Sequence, residues 1–215
     1  MEFLEVVQGR RMCRSFTSAA VEPSLIETLL VAAQRAPAAG NTQGWRFLLL
    51  DDAQSVDRYW GATLAEQRRA RFPWPGLLRA PVLVIPCADP EAYVARYAEL
   101  DKAGRVAASG QERIALGTSV AAWPVPYWMV DTAMATMTLL LGAVDAGLGA
   151  CFFGQFEQEA SVRSAFGIPD GFQPIGTVAL GWPDRGERSS TSVRQRPRPP
   201  LEQVVCRGTW GDGTG

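Results

Sequence analysis

Residues 129–153, MVDTAMATMTLLLGAVDAGLGACFF, decide the fold. The part from 129 to 147 is apolar on nearly every side, which predicts a central helix buried in a core or against a second subunit. Gly147 is placed to end that helix, and residues 150–153 then predict a buried strand. Because the most apolar part lies between Asp131 and Asp145, we expect a helix too short to span a bilayer.

Further helices and strands are predicted on both sides of this segment. Apolar runs predict strands at 47–50, 81–86 and 174–180, and amphipathic patterns predict helices at about 23–35, 53–71, 91–100 and 157–166. The mixed order of helices and interior strands predicts an α+β fold or a layered sandwich.

Length and composition favour one globular domain. The chain has 215 residues, 47% of them hydrophobic, and a formal net charge of -1. That balance gives no indication of a nucleic-acid or membrane partner. The first twelve residues do not resemble a signal peptide, so we expect a cytoplasmic protein. We predict a single domain over 1–206 and a flexible tail over 207–215.

The absence of histidine removes most acid/base, triad and metal chemistries. The four cysteines, Cys13, Cys87, Cys151 and Cys206, are far apart and form no Cys-x-x-Cys pair. They predict buried small residues or thiols rather than a metal site. The glycine run from Gly147 to Gly154 enters a strand instead of leaving one, which is not the context of a phosphate-binding loop.

Arginines cluster near both ends of the chain. The segment RRMCRSF, 10–16, holds Arg10, Arg11 and Arg14, and Arg194, Arg196 and Arg198 follow near the carboxyl end. Alone, each cluster is compatible with a solvated face or a basic linker. Together, their forked guanidinium groups would suit a phosphorylated ligand.

Two amide side chains stand in the loop that precedes the first predicted strand, in APAAGNTQGWRF, 36–47. Asn41 and Gln43 could tie down their own loop. Alternatively, their amides could meet a heteroaromatic ring with alternating donors and acceptors.

The segment from about 101 to 128 has weak periodicity, which is typical of a lid or substrate-binding element. Trp123, Tyr127 and Trp128 are candidates for an aromatic wall that stacks on a substrate, and Phe72 and Trp74 are further ones. Aromatic residues at such spacing belong to a core at least as often.

Taken together, four motifs resemble the nitroreductase family of flavin enzymes. They are Arg10-Arg11-x-x-Arg14-x-Phe16, Ala36-Pro37-x-x-x-Asn41-x-Gln43-x-Trp45-x-Phe47, Asp131-Thr132-Ala133-Met134-Ala135 leading to Gly147-Leu148-Gly149, and Gly181-Trp182-Pro183. The resemblance implies a three-layer α/β/α sandwich with a mostly antiparallel central sheet. It also implies an interlocked homodimer with two FMN sites at the subunit interface.

The resemblance assigns roles to particular residues. Arg10, Arg11, Met12 and Arg14 match the segment that binds the phosphate and the polar edge of FMN. The residues Pro37, Ala38, Ala39 and Asn41 match the loop that the partner subunit lays against the cofactor, with Gln43 as a further cofactor-binding candidate. Phe153 and Gly154 match the stretch near the flavin's reactive nitrogen, and Arg196 and Arg198 match the basic pair that returns to the phosphate. Met12, Ala38, Ala39 and Gly44 depart from the usual residues, which predicts fewer hydrogen bonds to FMN.

The chemistry implied is ping-pong electron transfer from NAD(P)H through FMN to an electron-poor acceptor such as a nitroaromatic or a quinone. Arg14 is the one catalytic candidate, and its charge would stabilise the reduced flavin. Alternatives are a specialised dehydrogenase, deiodinase or flavin-fragmenting enzyme of the same family, or a low-turnover flavin-binding protein. The flavin-fragmenting branch resembles proteins with an acidic residue at the position of Met12. Met12 therefore counts against that branch.

Overall fold

The fold is built on an antiparallel β-sheet. In the computed structural model, which describes residues 1–102, 115–184, 186 and 195–210, its strands are β1 (Trp45–Leu50), β2 (Val82–Ala88), β3 (Gly149–Phe153), β4 (Gln173–Pro174) and β5 (Thr177–Gly181). Their order is β1-β2-β5-β3, with β4 paired to β2, and every strand pair is antiparallel. The strand predicted at 174–180 is two strands, interrupted at Gly176, which has a φ of 146°.

The sheet is covered on both faces because its central strand is apolar on both sides. Val82 and Val84 of β2 pack in one apolar cluster with helices α2 (Pro23–Ala33) and α6 (Tyr127–Asp145). Leu83 and Ile85 pack in the other cluster, with α3 (Ala53–Thr63) and α7 (Glu159–Phe166). Alternate residues of a strand point to opposite faces, so this strand joins two cores. The α+β fold and its antiparallel sheet are as predicted.

The described residues form three further helices, α1 (Phe3–Gly9), α4 (Glu66–Arg69) and α5 (Pro90–Ala98). The sequence did not predict α1, which is short and begins with a capping box between Glu2 and Glu5. It predicted one helix over 53–71, whereas the structure ends α3 at Thr63 because Leu64 has an extended backbone.

The central helix α6 has 19 residues and packs against β3, β2 and α2. Gly147 ends it as predicted, with a φ of 76° and a 2.8 Å bond from Leu148 N to Ala143 O. The helix begins two residues before the predicted start and has the predicted length, and by length and composition alone it could cross a membrane. Buried core helices meet the same criterion, and Leu139 and Ala143 are fully buried in this fold.

The chain divides into two compact units, Met1–Arg185 and Gly186–Gly215. The single domain over 1–206 and the tail over 207–215 stay predictions. In the second unit the described residues include a short 3-10 turn, Leu201–Gln203.

Candidate functional site

The arginine segment lies along the outer edge of β3. Cys13 N donates to Ala150 O at 2.9 Å, and Phe16, which is fully buried, donates through its N–H to Gly76 O at 3.1 Å. These backbone bonds fix the path of the chain on both sides of Arg14. The side chains of Arg10 and Arg14 are half-buried, and that of Arg11 is exposed.

A cavity of about 380 Å³ opens where β3 ends. It brings together three residues that the sequence assigned to the flavin, Arg14, Phe153 and Gly154. The remaining lining comes from α3 and its carboxyl end, from the chain between Phe72 and Leu77, from β3 and from the turn after it: Tyr59, Trp60, Thr63, Leu64, Phe72, Trp74, Leu77, Cys151, Phe152, Gln155, Phe156, Glu157 and Gln158.

Aromatic rings form much of the cavity wall. Trp60 stacks on Phe153 with ring centroids 6.0 Å apart and an interplanar angle of 11°. Phe72 lies between Trp60 and Trp74, at 6.4 and 5.9 Å from their centroids. The Arg14 guanidinium lies 5.4 Å from the centroid of Trp74, a cation–π geometry that holds the charge at the wall.

A buried polar group adjoins this wall. Gln155 Nε2 donates to Thr177 Oγ1 at 2.9 Å, and the Tyr59 hydroxyl lies 2.8 Å from the same oxygen. Burial raises the pKa of Tyr59 to about 12, against the opposite effect of its hydrogen bonds to Thr177 and Gln155. Tyr59 is therefore neutral at physiological pH.

Two residues of the cavity wall retain a buried polar atom with no hydrogen-bond partner in the described part of the chain. They are Trp60, through its donor Nε1, and Gln155, through its acceptor Oε1. A buried donor or acceptor without a partner is costly, so such atoms are commonly satisfied by a ligand or by water.

The loop Pro37–Gly44 adopts an unusual backbone. Gly40, Asn41 and Gln43 have φ values of 63°, 56° and 54°. Gln43 Nε2 donates to Asn41 Oδ1 at 3.0 Å, and both side chains are exposed. The two amides thus bond to each other, as the first interpretation of this loop expected. The loop contributes nothing to the cavity of its own chain among the lining residues.

A buried carboxylate lies behind this loop. Asp131, on α6, is 1% exposed, and its Oδ2 accepts 2.7 Å bonds from Ala39 N and from the Tyr93 hydroxyl. Burial, followed by the bond to Asp131, raises the pKa of Tyr93, so this hydroxyl keeps its proton. The sequence analysis placed Ala39 in the cofactor loop and Asp131 in a family motif, but it gave Asp131 and Tyr93 no role of their own, although an acid within an apolar helix was a visible signal.

Two of the three proposed substrate-stacking residues belong to a core cluster. Trp123 and Trp128 are buried with Tyr93, and their indole N–H groups donate at 2.9 Å to Leu116 O and Gln173 Oε1. Their burial favours the core interpretation that the sequence left open. Tyr127 is 42% exposed. Of the predicted lid, residues 103–114 lie outside the described residues.

The second unit holds the other arginine cluster. Arg196 and Arg198 are exposed there, and Arg194 lies outside the described residues. Their predicted return to the phosphate stays a prediction. Within the described ranges no group of three His, Cys, Asp or Glu residues could hold a metal ion.

Comparison with known proteins identifies the family to which this fold belongs. The model of the nitroreductase family matches residues 7–182. The chain is 30% identical over 204 residues to a protein of Thermus thermophilus named NADH dehydrogenase, covering 91% of each chain. The chain itself therefore belongs to the nitroreductase family and is an oxidoreductase.

Solved structures show the same fold at low sequence identity. A nitroreductase family protein of Streptococcus pneumoniae matches with a TM-score of 0.69 and 21% identity, over 96% of this chain and all of that one. A nitroreductase family protein of Clostridium difficile matches with a TM-score of 0.67 and 20% identity, over 98% of this chain and all of that one.

Proposed function

We propose that this protein is an FMN-dependent enzyme that transfers electrons from NAD(P)H to an electron-poor acceptor such as a nitroaromatic or a quinone. The observation that carries the proposal is the cavity at the end of β3. There Arg14, from near the start of the chain, lines the same cavity as Phe153 and Gly154. These are the residues that the family resemblance assigns to the ring of the flavin.

The cavity residues fit a flavin ring. The cavity volume of about 380 Å³ lies in the usual range of small-molecule sites. A flavin presents a flat apolar body and a polar edge with donors and acceptors, and the wall offers aromatic rings together with one guanidinium. The partnerless Trp60 Nε1 and Gln155 Oε1 supply one donor and one acceptor for such an edge.

When bound, FMN would supply the electron chemistry, alternately accepting electrons from NAD(P)H and giving them to the acceptor. The chain's own residues have to hold the ring, provide fixed charge and exclude water. Arg14 provides the charge, because a guanidinium stays protonated and its position on Trp74 is fixed before any ligand arrives. Arg10 and Arg11 would bind the phosphate through charge-assisted hydrogen bonds.

The electron donor follows from the family and from relatives rather than from a nucleotide-binding motif. The Thermus relative is named an NADH dehydrogenase. We extend that use of a nicotinamide cofactor to this chain, without choosing between NADH and NADPH. The aromatic wall around Phe72 and Trp74 suits a flat acceptor, which would stack on rings already in place.

The enzyme works as a homodimer in this proposal. Val130, Ala133 and Met137 are exposed on α6 at the spacing of a single helix face. The helix α1, which packs against α6, exposes Phe3 and Leu4, which are 69% and 67% accessible in one chain. An apolar surface of this kind supports burial against a second copy, which would place the loop Pro37–Gly44 against the partner's cofactor.

Anaerobic titration of the purified protein tests the proposal. We expect a yellow protein that contains about one FMN per chain, is bleached by NADH or NADPH under nitrogen, and regains its colour when a nitroaromatic or quinone is added. A protein that is colourless and cannot be reconstituted with FMN would refute the proposal. A protein that binds FMN without being bleached by either nucleotide would instead identify a flavin-binding protein of low turnover.

A further inference from the structure

We propose that Asp131 is a positioning residue for the cofactor: its buried carboxylate fixes the loop Pro37–Gly44 in the shape that presents Asn41 and Gln43. The role rests on the proposed function, since the loop has a ligand to meet only if a flavin binds. The anchor itself can be tested without any flavin.

The carboxylate has the geometry of an anchor. Ala39 N and the Tyr93 hydroxyl reach the same oxygen, Asp131 Oδ2, both at 2.7 Å. Bonds of this length are typical of a charged acceptor, and two donors compensate part of the cost of burying the carboxylate. The bond to Ala39 joins α6 to a residue 92 positions earlier in the chain.

The rest of the loop is held by the neighbouring helix α5. Arg96 Nε donates to Gly40 O at 2.9 Å, and Asp89 N donates to Gly44 O at 2.9 Å. Gly44 packs so closely on Tyr93 that a Cβ there would lie 2.5 Å from the tyrosine ring. Gly44, one of the departures from the family pattern, is therefore required by the same tyrosine that bonds to Asp131.

This loop needs an anchor because its backbone is strained. Asn41 and Gln43 both have a positive φ, which non-glycine residues adopt only at an energetic cost. Surrounding contacts have to maintain such a conformation. Asp131 supplies the buried, charged contact, while the exposed amides of Asn41 and Gln43 are left at the surface where a ligand can reach them. Pre-ordering of this kind reduces the entropy that ligand binding would otherwise cost.

Asp131→Asn is the test, because it keeps the shape of the side chain and removes its charge. A matched control is Asp145→Asn, on the same helix but exposed and bonded to the amino terminus. Tyr93→Phe removes one of the two donors and leaves the bond from Ala39, so a smaller effect is expected.

Hydrogen exchange of the peptide covering 37–44, followed without added flavin, reports on the anchor. We expect exchange to be about tenfold faster in Asp131→Asn than in the wild type or Asp145→Asn, on the scale of one charge-assisted hydrogen bond. In the same proteins the Kd for FMN should rise about tenfold in Asp131→Asn and two- to threefold in Tyr93→Phe. The visible circular dichroism of the bound flavin should change, while Asp145→Asn matches the wild type.

Each arm of the experiment has its own refutation. Unchanged exchange in Asp131→Asn refutes the anchor, whatever happens to FMN. Faster exchange with an unchanged Kd and flavin spectrum shows a purely structural role and refutes the positioning role. A wild type that binds no FMN refutes the proposed function and the positioning role together, while the exchange measurement still decides on the anchor.

Discussion

Gly76→Ala would displace Arg14 without altering it. Gly76 lies beneath the arginine segment, where its carbonyl accepts the bond from Phe16 N. A Cβ at this position would lie 2.7 Å from the Ser15 Cα and would also contact Ser15 Oγ. Ser15 is the neighbour of Arg14, so any displacement of its backbone is transmitted to the cavity wall.

The size of the effect follows from the distance. Carbon atoms in contact prefer a separation of about 3.5 to 4.0 Å, so the Ser15 backbone or the turn Pro75–Arg79 has to move by roughly 1 Å. Overpacking of this kind costs about 1 to 3 kcal/mol in the free energy of unfolding. A misplacement of about 1 Å at a reacting site costs up to about a hundredfold in rate. We expect flavin reduction by NAD(P)H to slow by about ten- to a hundredfold.

Urea unfolding of the apoprotein at fixed concentration measures the first effect, and anaerobic stopped-flow reduction of the FMN-loaded protein measures the second. Gly61→Ala is the control, because a Cβ at Gly61, within α3, has no atom within 4 Å. It should raise the free energy of unfolding by about 0.5 to 1 kcal/mol and leave the reduction rate unchanged. Wild-type stability in Gly76→Ala would refute the close approach; lost stability with a wild-type rate would refute the link to Arg14.

Three further predictions concern charge, pH and assembly. Arg14→Ala should slow flavin reduction by about ten- to a hundredfold in the same stopped-flow assay. The control Arg58→Ala should match the wild type, because the Arg58 guanidinium lies over a phenylalanine ring outside the cavity lining. Equal rates in the wild type and both variants would contradict the role of Arg14. Because the pKa of Tyr59 is raised to about 12, its contribution to stability is complete below pH 10 and is lost as the pH rises through 12, by roughly 2 to 3 kcal/mol. Tyr59→Phe should lack this loss in urea midpoints measured from pH 9 to 12, and parallel pH profiles would argue against it. Val130→Glu combined with Met137→Glu should give a monomer by light scattering, and a dimer would exclude this face of α6 from the interface.

Local structure was largely predictable from the sequence. The helix after Tyr127, its end at Gly147 and the strand that follows depend on contacts between near neighbours, and residue pattern records such contacts. The segment RRMCRSF and the residues Phe153 and Gly154 were assigned to one site, and the structure brings Arg14 to both of the latter. Phe72 and Trp74, which were candidates for an aromatic wall, also line the cavity, whereas the sequence did not predict the rest of the wall.

Two wall residues that the sequence did not identify come from a helix whose residue pattern does not indicate a binding site. Tyr59 and Trp60 lie on α3, whose residue pattern predicts an ordinary polar-faced helix. Their partners, Thr177 for Tyr59 and Phe153 for Trp60, are far away in the sequence. Asp131 was visible as an acid in an apolar helix, but nothing local connects it with Ala39. Aromatic spacing could not separate Trp123 and Trp128, which are buried, from Phe72 and Trp74, which line the cavity. The placement of each of these side chains depends on contacts between residues that are far apart in the sequence.

The site explains how a chain without histidine can belong to an oxidoreductase family. Both buried tyrosines near the site keep their protons, since the pKa of Tyr59 and that of Tyr93 are raised by burial. Arg14 contributes a positive charge, held in place by Trp74 and by the backbone bonds on either side of it. In the proposed function these groups would orient and polarise a ligand without exchanging protons with it, and a bound cofactor would supply the electron chemistry. The protein's contribution is then geometric, which is why a methyl group beneath Ser15 or a lost charge behind Ala39 should affect function as much as the removal of a side chain in the cavity.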